Sequence, residues 1–358
     1  MFEDLVKKSA SWLSGEGKNS EIVLSSRVRL ARNITSLPFP PVANIENKEK
    51  ALSYVQFAIE KSQFLKKGNS YSSDKLSDLD RKFLLERHLV SPEFIKNGDN
   101  PKAIFIGEDE KLSIMVNEED HLRIQAIQSG LELKSAWEQA NQADDELSKS
   151  LEFDFDSDFG YLTSCPTNVG TGIRASVLIH LPGLVLTREI EKVISRITKV
   201  GLAVRGFYGE GTDVLGNLFQ ISNQTTLGKS EEDIMESLER VTYQIIEYEG
   251  NSRMTLFKDA KEQIEDKIWR SLGILKNARV LTSAEVLNLL SAIRLGLGTG
   301  TLSDISLGLI NQLLILSQPA HLQKYFGKEM SAEERDVVRA SLVREKLSEG
   351  TPAFSDGK

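Results

Sequence analysis

The stretch from Phe159 to Pro182, FGYLTSCPTNVGTGIRASVLIHLP, constrains this chain more than any other. It holds the one cysteine of 358 residues, Cys165, at the mouth of a loop punctuated by Pro166, Gly170 and Gly172. The loop runs into Arg174 and then into an apolar alternation, Val177, Ile179 and Leu181, with the period of a buried strand. A thiol and a guanidinium are thereby held nine positions apart on a short turn between two strands. A free cysteine often behaves as a small buried hydrophobe, so a strand-turn-strand unit with a packing thiol is the plain alternative to a reactive site. The neighbouring segments bear on that choice.

Residues 22–30, IVLSSRVRL, alternate as a strand, with Ile22, Leu24, Val28 and Leu30 on one face and Ser25, Arg27 and Arg29 on the other. Two arginines on one strand face repel unless they share an anion or have acidic partners; a solvated edge strand is the alternative. After the prolines at 38, 40 and 41, Leu52, Val55 and Ile59 stripe a helix, and LKKGNSYSSDKLSD reads as a polar connection. AIFIG from Ala103 and LSIMVN from Leu112 form a strand pair joined by GEDEK. The second strand ends in Asn117-Glu118-Glu119-Asp120-His121-Leu122-Arg123, where three adjacent carboxylates precede a histidine and an arginine. A lone acidic run is normally a solvated turn, but the flanking strands hold this one at a sheet edge or within a cleft. His88 and His121 stand too isolated in sequence to form a metal site.

A helix follows over 131–150, and Ile190, Val193, Ile194, Ile197 and Val200 stripe another. Gly206, Gly209, Gly211 and Gly216 then surround Arg205 and Glu210, which suits either a long hairpin or a loop that closes as a lid. Ile234, Leu238, Val241 and Ile245 mark the helix that should end a first domain near Glu249-Gly250-Asn251. Beyond residue 255 the strand signals vanish. Thr282-x-x-Glu285 and Ser331-x-x-Glu334 are capping boxes, so four or five helices are expected over 255–350 before a loose tail, TPAFSDGK.

Several classes of function are disfavoured. A net charge of -8 argues against a broad nucleic-acid surface, and a single cysteine forbids an intrachain disulfide. No eighteen apolar residues run together and the N-terminus has no hydrophobic signal core, so no membrane partner is expected and the cytoplasm is the expected compartment. Gly228-Lys229-Ser230 ends like a phosphate-binding loop, but Asn223 stands where the first glycine is required. Neither G-x-S-x-G nor H-E-x-x-H occurs. What remains is an arginine set, Arg27, Arg29, Arg123, Arg174 and Arg205, beside carboxylates and one thiol. Guanidinium forks match phosphate oxygens bidentately, so such a set can cradle a triphosphate without a glycine loop.

SSRVRLARN, VNEEDHLRI, CPTNVGTGIRASV, RGFYGEG and QISNQTTLG, in this order, together resemble the catalytic domain of the phosphagen (guanidino) kinases over residues 20–250. Kinases of that family for creatine or free arginine carry a helical N-terminal domain that closes over the small substrate. Here about twenty residues precede SSRVR and a helical region follows instead, an arrangement similar to the bacterial protein-arginine kinases. The resemblance implies an α+β fold, with an antiparallel β-sheet flanked by helices and then an all-helical C-terminal domain. The division is expected as 1–254 catalytic and 255–358 helical and regulatory.

Carried over motif by motif, the resemblance implies nucleotide binding by Ser25, Ser26, Arg27, Val28 and Arg29, and by Arg174, Ala175, Ser176, Val177 and Leu178. Arg123, Arg205, Gly206, Phe207, Tyr208, Gly209 and Glu210 join this set, with His88 near the nucleotide. Glu119 corresponds to the catalytic carboxylate, Glu210 to the second one, Cys165 to the reactive cysteine, and the adjacent Glu118 to a substrate contact. The substrates implied are ATP with Mg2+, held mainly by the phosphates and by no direct protein ligand, and arginine side chains of proteins. A stress-gene repressor and misfolded proteins are implied among those targets. The same resemblance implies a role in stress response and protein quality control, marking of proteins for Clp-type proteolysis, an activator protein and a homo-oligomer, dimeric or higher. A small-molecule guanidine kinase and a non-enzymatic phosphoarginine-binding adaptor are the alternatives. In the C-terminal region Arg335-Asp336-Val337-Val338-Arg339-Ala340 resembles a phosphoarginine-binding motif, which makes Arg335, Asp336, Arg339 and Ala340 an expected allosteric site; a solvated helix face is the plain alternative.

Overall fold

The strands that alternate most regularly in sequence lie at the middle of one antiparallel sheet. The computed structural model describes residues 2–96, 101–206 and 214–349. The strands are β1 (Val23–Arg32), β2 (Asn69–Ser72), β3 (Ala103–Ile106), β4 (Leu112–Val116), β5 (Leu122–Ser129), the short β6 (Phe155–Asp156) and β7 (Gly160–Tyr161), β8 (Ile173–His180), β9 (Leu202–Gly206) and β10 (Leu218–Asn223). Helices before the long C-terminal run are α1 (Glu3–Lys7), α2 (Ile45–Lys61), α3 (Asp78–Glu86), α4 (Pro92–Ile95), α5 (Leu133–Ser148), α6 (Pro182–Leu186) and α7 (Ile190–Lys199). The run itself comprises α8 (Glu231–Asp259), α9 (Lys261–Asn277), α10 (Ser283–Gly298), α11 (Leu307–Leu316), α12 (Pro319–Phe326) and α13 (Ala332–Glu349). Eight strands pair in the order β2-β3-β4-β5-β1-β8-β10-β9, and β6 and β7 form a separate hairpin. The class is α+β, as the motifs imply.

One face of the sheet is wholly apolar. Val28, Leu30, Ile124, Ala126, Ile173, Val177 and Ile179 meet Ala136, Ala140, Ala143 and Leu147 of α5, whose small side chains let the helix lie close. A single polar tie crosses this layer. Arg32 at the end of β1 is buried and forks onto Asp144 of α5, with Nε and Nη2 at 3.1 and 2.7 Å from Oδ2.

The opposite face is divided. Leu24, Leu178 and Leu218 pack with Ile268, Leu287, Leu290 and Ile293 of α9 and α10, and His180 shares a 2.8 Å hydrogen bond with Ser291. Beside them Trp12 and Leu13 of the N-terminal segment meet Ile127 and Ile315. The rest of that face is open and forms a cleft. Glu86 at the end of α3 fastens the helical region from the cleft side, accepting from the N–H groups of Ala320 and His321 at 2.8 and 2.9 Å, the first turn of α12.

Several expectations need correction. The alternation places Leu24 with Val28, but the register of β1 against β8 shifts between Val23 and Ser25, and the irregularity turns Leu24 among the leucines of the helical region. The polar stretch after Leu65 contains β2, an edge strand held to β3 by backbone pairing that needs no apolar pattern. Val200 lies beyond the end of α7 and is exposed. The helix expected to stop near Gly250 runs on to Asp259. Glu249 is buried there, accepts from Gly183 N and Leu184 N at 2.9 Å each, and pairs with Arg253 at 2.7 Å, while Gly250 faces open space. Both expected N-caps are present: Ser331 completes its box, with Ser331 N donating to Glu334 at 2.8 Å and Glu334 N to Ser331 Oγ at 3.3 Å, while Thr282 shows the half in which it accepts from Glu285 N at 3.2 Å. The tail TPAFSDGK lies outside the described residues.

The Arg32–Asp144 tie predicts a large stability effect. Asp144→Ala leaves a guanidinium that is 1 % exposed without its carboxylate, and breaking such a buried pair costs about 3–5 kcal/mol. The urea midpoint followed by circular dichroism should fall accordingly; an unchanged midpoint would mean that Arg32 is held by its backbone acceptors alone.

Candidate active site

Antiparallel register converts the alternating sequence into a patch of like charge. Arg29 of β1 stands between Gln125 of β5 and Arg174 of β8, and Arg27 stands between Ile127 and Ser176. Arg123 lies further along β5, and Arg205 of β9 stands opposite Gln220 of β10. These five arginines from four strands line one cleft of about 720 Å3, together with His88, Glu119 and Cys165.

Neutralising partners are few. Arg27 donates to Gln220 at 3.0 Å and Arg174 to Ser222 at 3.1 Å, both neutral acceptors. The Nε donors of Arg27 and Arg29 are buried without a partner among the described residues. Burial, followed by Arg123 and Arg174, pushes the Arg27 guanidinium down to about 10. Burial, then Arg27, Arg123 and Arg174, pushes Arg29 well below the usual arginine range. Arg174 is lowered by burial and then by Arg205 and Arg123, while Cys165 and Glu119 oppose the shift. Each cation is therefore held beside others that disfavour its charge, an arrangement a polyanion would relieve.

The carboxylates come from the loop joining β4 to β5. Asn117 turns the chain there with φ +57° and is pinned by Nδ2 donating to Lys48 O and Pro101 O at 2.8 and 2.9 Å. Glu118 points inward; its buried carboxylate takes Ser91 Oγ–H and Arg123 Nη1 (2.7 Å). Glu119 points to the cleft, accepts from Arg123 Nη2 at 2.9 Å and stays partly exposed. Burial raises its pKa above the usual glutamate value against the pull of Arg123, the direction that strengthens a carboxylate as a proton acceptor. Asp120 is buried and accepts from Asn33 Nδ2 and Ser164 N at 2.7 Å each. It ties the Glu119 loop to the residue before Cys165.

The cysteine loop is fixed from the other side. Gly172 has φ +68°, and a Cβ there would come within 2.6 Å of Arg32 Nη1 and 2.7 Å of Ala31 O, so only glycine brings the loop this close to β1. Thr226 Oγ donates to Val169 O at 2.6 Å. Cys165 Sγ lies 3.1 Å from Thr167 Oγ and lines the cleft, and the thiol is thus not a core packing group. His88 also lines the cleft in the left-handed region, φ +59°, and burial, reinforced by Arg27 and His321, pushes it down to about 3. It is a neutral imidazole.

The expected residues thus fall into separate groups. Arg27, Arg29, Arg123, Arg174, Arg205, Gly206, His88, Glu119 and Cys165 come together around the cleft. Ser25, Ser176 and Leu178 line a small adjoining cavity with Trp12. Val28, Ala175 and Val177 point into the apolar layer beneath the sheet, and Ser26 is committed on that same face to Gly130 O and Glu132 N, so none of the four offers a side chain to the cleft. Phe207, Tyr208, Gly209 and Glu210 lie outside the described residues. In α13 Ala340 is buried, and Arg339 is spent on Ser317 O and Leu281 O, both at 2.7 Å, and on Asp336; of the four expected site residues Arg335 and Asp336 keep accessible surface. Sequence reading missed Asp120, Ser91 and Gln220 as organising residues. Asp120 was visible within the acidic run, whereas nothing local marks Ser91.

A family model described as "ATP:guanido phosphotransferase, C-terminal catalytic domain" matches residues 50–252, and one described as "Protein-arginine kinase McsB C-terminal domain" matches residues 261–356. A curated protein-arginine kinase from Pelotomaculum thermopropionicum is 48% identical over 340 residues, 94% of this chain and 95% of that protein. One from Halothermothrix orenii is 46% identical over 348 residues, 97% of this chain and 99% of that protein. Among solved structures, a lombricine kinase superposes with a TM-score of 0.58 at 25% identity, covering 66% of this chain and 68% of its own. The duplicated taurocyamine kinase from Schistosoma mansoni, with bound transition state analog components, gives 0.57 at 29% identity, covering 70% of this chain and 35% of its own.

The neutral His88 generates a pH prediction. Its folded value of about 3 lies below the ordinary 6.5, so the unfolded chain takes up this proton first as pH falls. His88 therefore contributes stability that is complete above 6.5 and is lost as pH drops toward 3. His88→Asn, which tolerates the left-handed backbone, should flatten the dependence of the melting temperature on pH between those limits. An identical slope in both proteins would contradict the assignment.

Proposed function

The chain belongs to the ATP:guanido phosphotransferase family and, within it, to the protein-arginine kinases, and from that premise we propose that its cleft transfers the γ-phosphoryl group of MgATP to arginine side chains of other proteins. The observation that carries the reading is the convergence of Arg27, Arg29, Arg123, Arg174 and Arg205 on one cleft, where burial first and neighbouring arginines second lower Arg27, Arg29 and Arg174. A triphosphate supplies the opposite charge, and guanidinium forks hold its oxygens in fixed positions. As the resemblance implies, magnesium would ride on the phosphates and screen the charge of the transferring group.

Each chain residue then has a task. Glu119 would fork onto the substrate guanidinium, set one nitrogen in line with the γ-phosphorus and accept its proton as the N–P bond forms and the bond to the ADP oxygen breaks. Glu118, locked by Ser91, fixes Arg123, and Arg123 in turn orients Glu119. Cys165 would place a polarisable, anion-forming group beside the guanidinium, and Glu210 would align its other edge. The catalytic part would be 1–254 and the regulatory part 255–358, with α8 running through the junction. In α13 Asp336 and Arg335 would read the guanidinium and phosphoryl charges of a phosphoarginine, with Arg339 bracing Asp336 from below. The resemblance supports the setting: a cytoplasmic oligomer acting with an activator protein in stress response, marking repressor and misfolded substrates for Clp-type proteolysis.

Glu119→Gln should keep the fold and ATP affinity and lower turnover by roughly 10²–10⁴-fold, the usual loss for a general base. Near wild-type turnover would move the role to Glu210. The radiolabelled product on an unfolded arginine-containing protein should lose its phosphate in mild acid, as a P–N bond does. Acid-stable label on hydroxyl side chains would remove the assignment, and label on free arginine alone would favour the small-molecule alternative.

A further inference from the structure

The β6–β7 hairpin is built for contact with something other than this chain. Glu152, Asp154, Asp156 and Asp158 crowd its two strands and turn, and no lysine or arginine occurs between Lys149 and Arg174. Asp156 closes the turn by accepting from the N–H groups of Asp158 and Phe159 at 2.8 and 3.0 Å. The other three carboxylates enter no ion pair with any described residue. Between them Phe155 and Phe159 are 61% and 55% exposed, large rings held in water on an acidic arm.

The arm is mounted rigidly at the rim of the active cleft. Tyr161 and Gly170 exchange backbone hydrogen bonds of 2.7 and 3.3 Å, joining the hairpin to the loop that carries Cys165. Leu162 N donates to Asp154 O at 3.0 Å and Asp154 N to Asn33 O at 2.8 Å, while the Arg32 guanidinium sits 3.5 Å over the Tyr161 ring. The residues just ahead of it in sequence, Leu151 and Glu152, line a groove of about 300 Å3 together with the half-exposed rings of Tyr54 and Phe57. Apolar rings and unpaired carboxylates thus form one track leading away from the thiol.

We propose that this track is the docking surface for the polypeptide that carries the target arginine, an extended segment rich in basic and apolar residues. The inference rests on the protein-arginine reading above and deepens it. Charge complementarity selects the occupant: carboxylates attract lysine and arginine flanks, the exposed rings accept apolar side chains and stack with guanidinium groups, and a free guanidine in the cleft would touch none of them. An extended segment also suits the track, since a folded protein would have to bring both the cleft and the hairpin into register at once.

The test compares three substrates: an N-acetylated arginine amide, a synthetic peptide with one arginine among lysines and leucines, and one with its arginine among glutamates and serines. Wild type should show a lower KM for the basic peptide than for the acidic one. Phe155→Ser with Phe159→Ser, and separately Asp154→Asn with Asp158→Asn, should raise the basic-peptide KM on the order of tenfold, the scale of losing one good interfacial contact. Neither pair should alter kcat, nor either constant for the amide, and the charge pair should also flatten the salt dependence of KM. An unchanged peptide KM in both variants, an equal loss on amide and peptide, or a changed oligomeric state would overturn the proposal, the last by assigning the track to a second copy of the chain. Should wild type phosphorylate the amide and neither peptide, the protein-kinase reading fails and this inference with it. Wild-type activity on the basic peptide with a KM that both variants leave unchanged removes the inference alone.

Discussion

Repulsion among arginines is the constraint that the rest of this structure accommodates. Burial loosens the hold of Arg27, Arg29 and Arg174 on their protons, and neighbouring arginines add to it: Arg123 and Arg174 on Arg27, Arg27, Arg123 and Arg174 on Arg29, Arg205 and Arg123 on Arg174. Such a cluster destabilises the unliganded protein, and it persists only because the surrounding fold leaves the side chains nowhere else to go. A strand is well suited to this. Its side chains alternate strictly, so arginines at every second position must share a face, and pairing with neighbouring strands fixes their lateral spacing.

The stability that offsets this repulsion lies under the sheet and around it. The apolar layer of β1, β5 and β8 against α5 is crossed by the paired Arg32 and Asp144, and buried charges elsewhere in the fold are paired too: Arg87 with Glu110, Arg253 with Glu249. In the cleft Arg27 and Arg174 instead face neutral acceptors. That contrast, rather than the number of arginines, distinguishes a binding surface from a structural ion-pair network. Glu118 stands at the boundary between the two regimes: buried and satisfied itself, it spends its charge on holding Arg123 for Glu119.

Much of this was legible in the sequence because the decisive elements are periodic. The alternation of IVLSSRVRL predicts Arg27 and Arg29 on one face, and of the acidic run after LSIMV, expected at a sheet edge or within a cleft, Glu119 lines the cleft. What escaped was non-local. A register irregularity turned Leu24, backbone pairing made a strand of the polar Asn69–Ser72, and a buried Glu249 carried α8 through a glycine that reads as a stop. Within the site Asp120 acts through Ser164, forty-four positions away, and Ser91 acts through Glu118. No window of sequence shows such contacts. The motif in α13 was legible as composition, yet the burial of Arg339 and Ala340 depends on how α11 and α12 pack around it.

The divided face of the sheet has a consequence for modularity. β8 presents Arg174 and Ser176 to the cleft, and two residues further on it presents Leu178 to α10. The same strand is half enzyme and half interface. Two families of sequence meet in this chain as separable blocks, but the surfaces they make are not separable, because removing the helices would strip Leu24, Leu178 and Leu218 to water on the very face that gathers the arginines. A shortened enzyme could not simply be cut from this one. It would need new polar residues written into the middle of its central strands, and so the helical region is inherited together with the sheet or not at all.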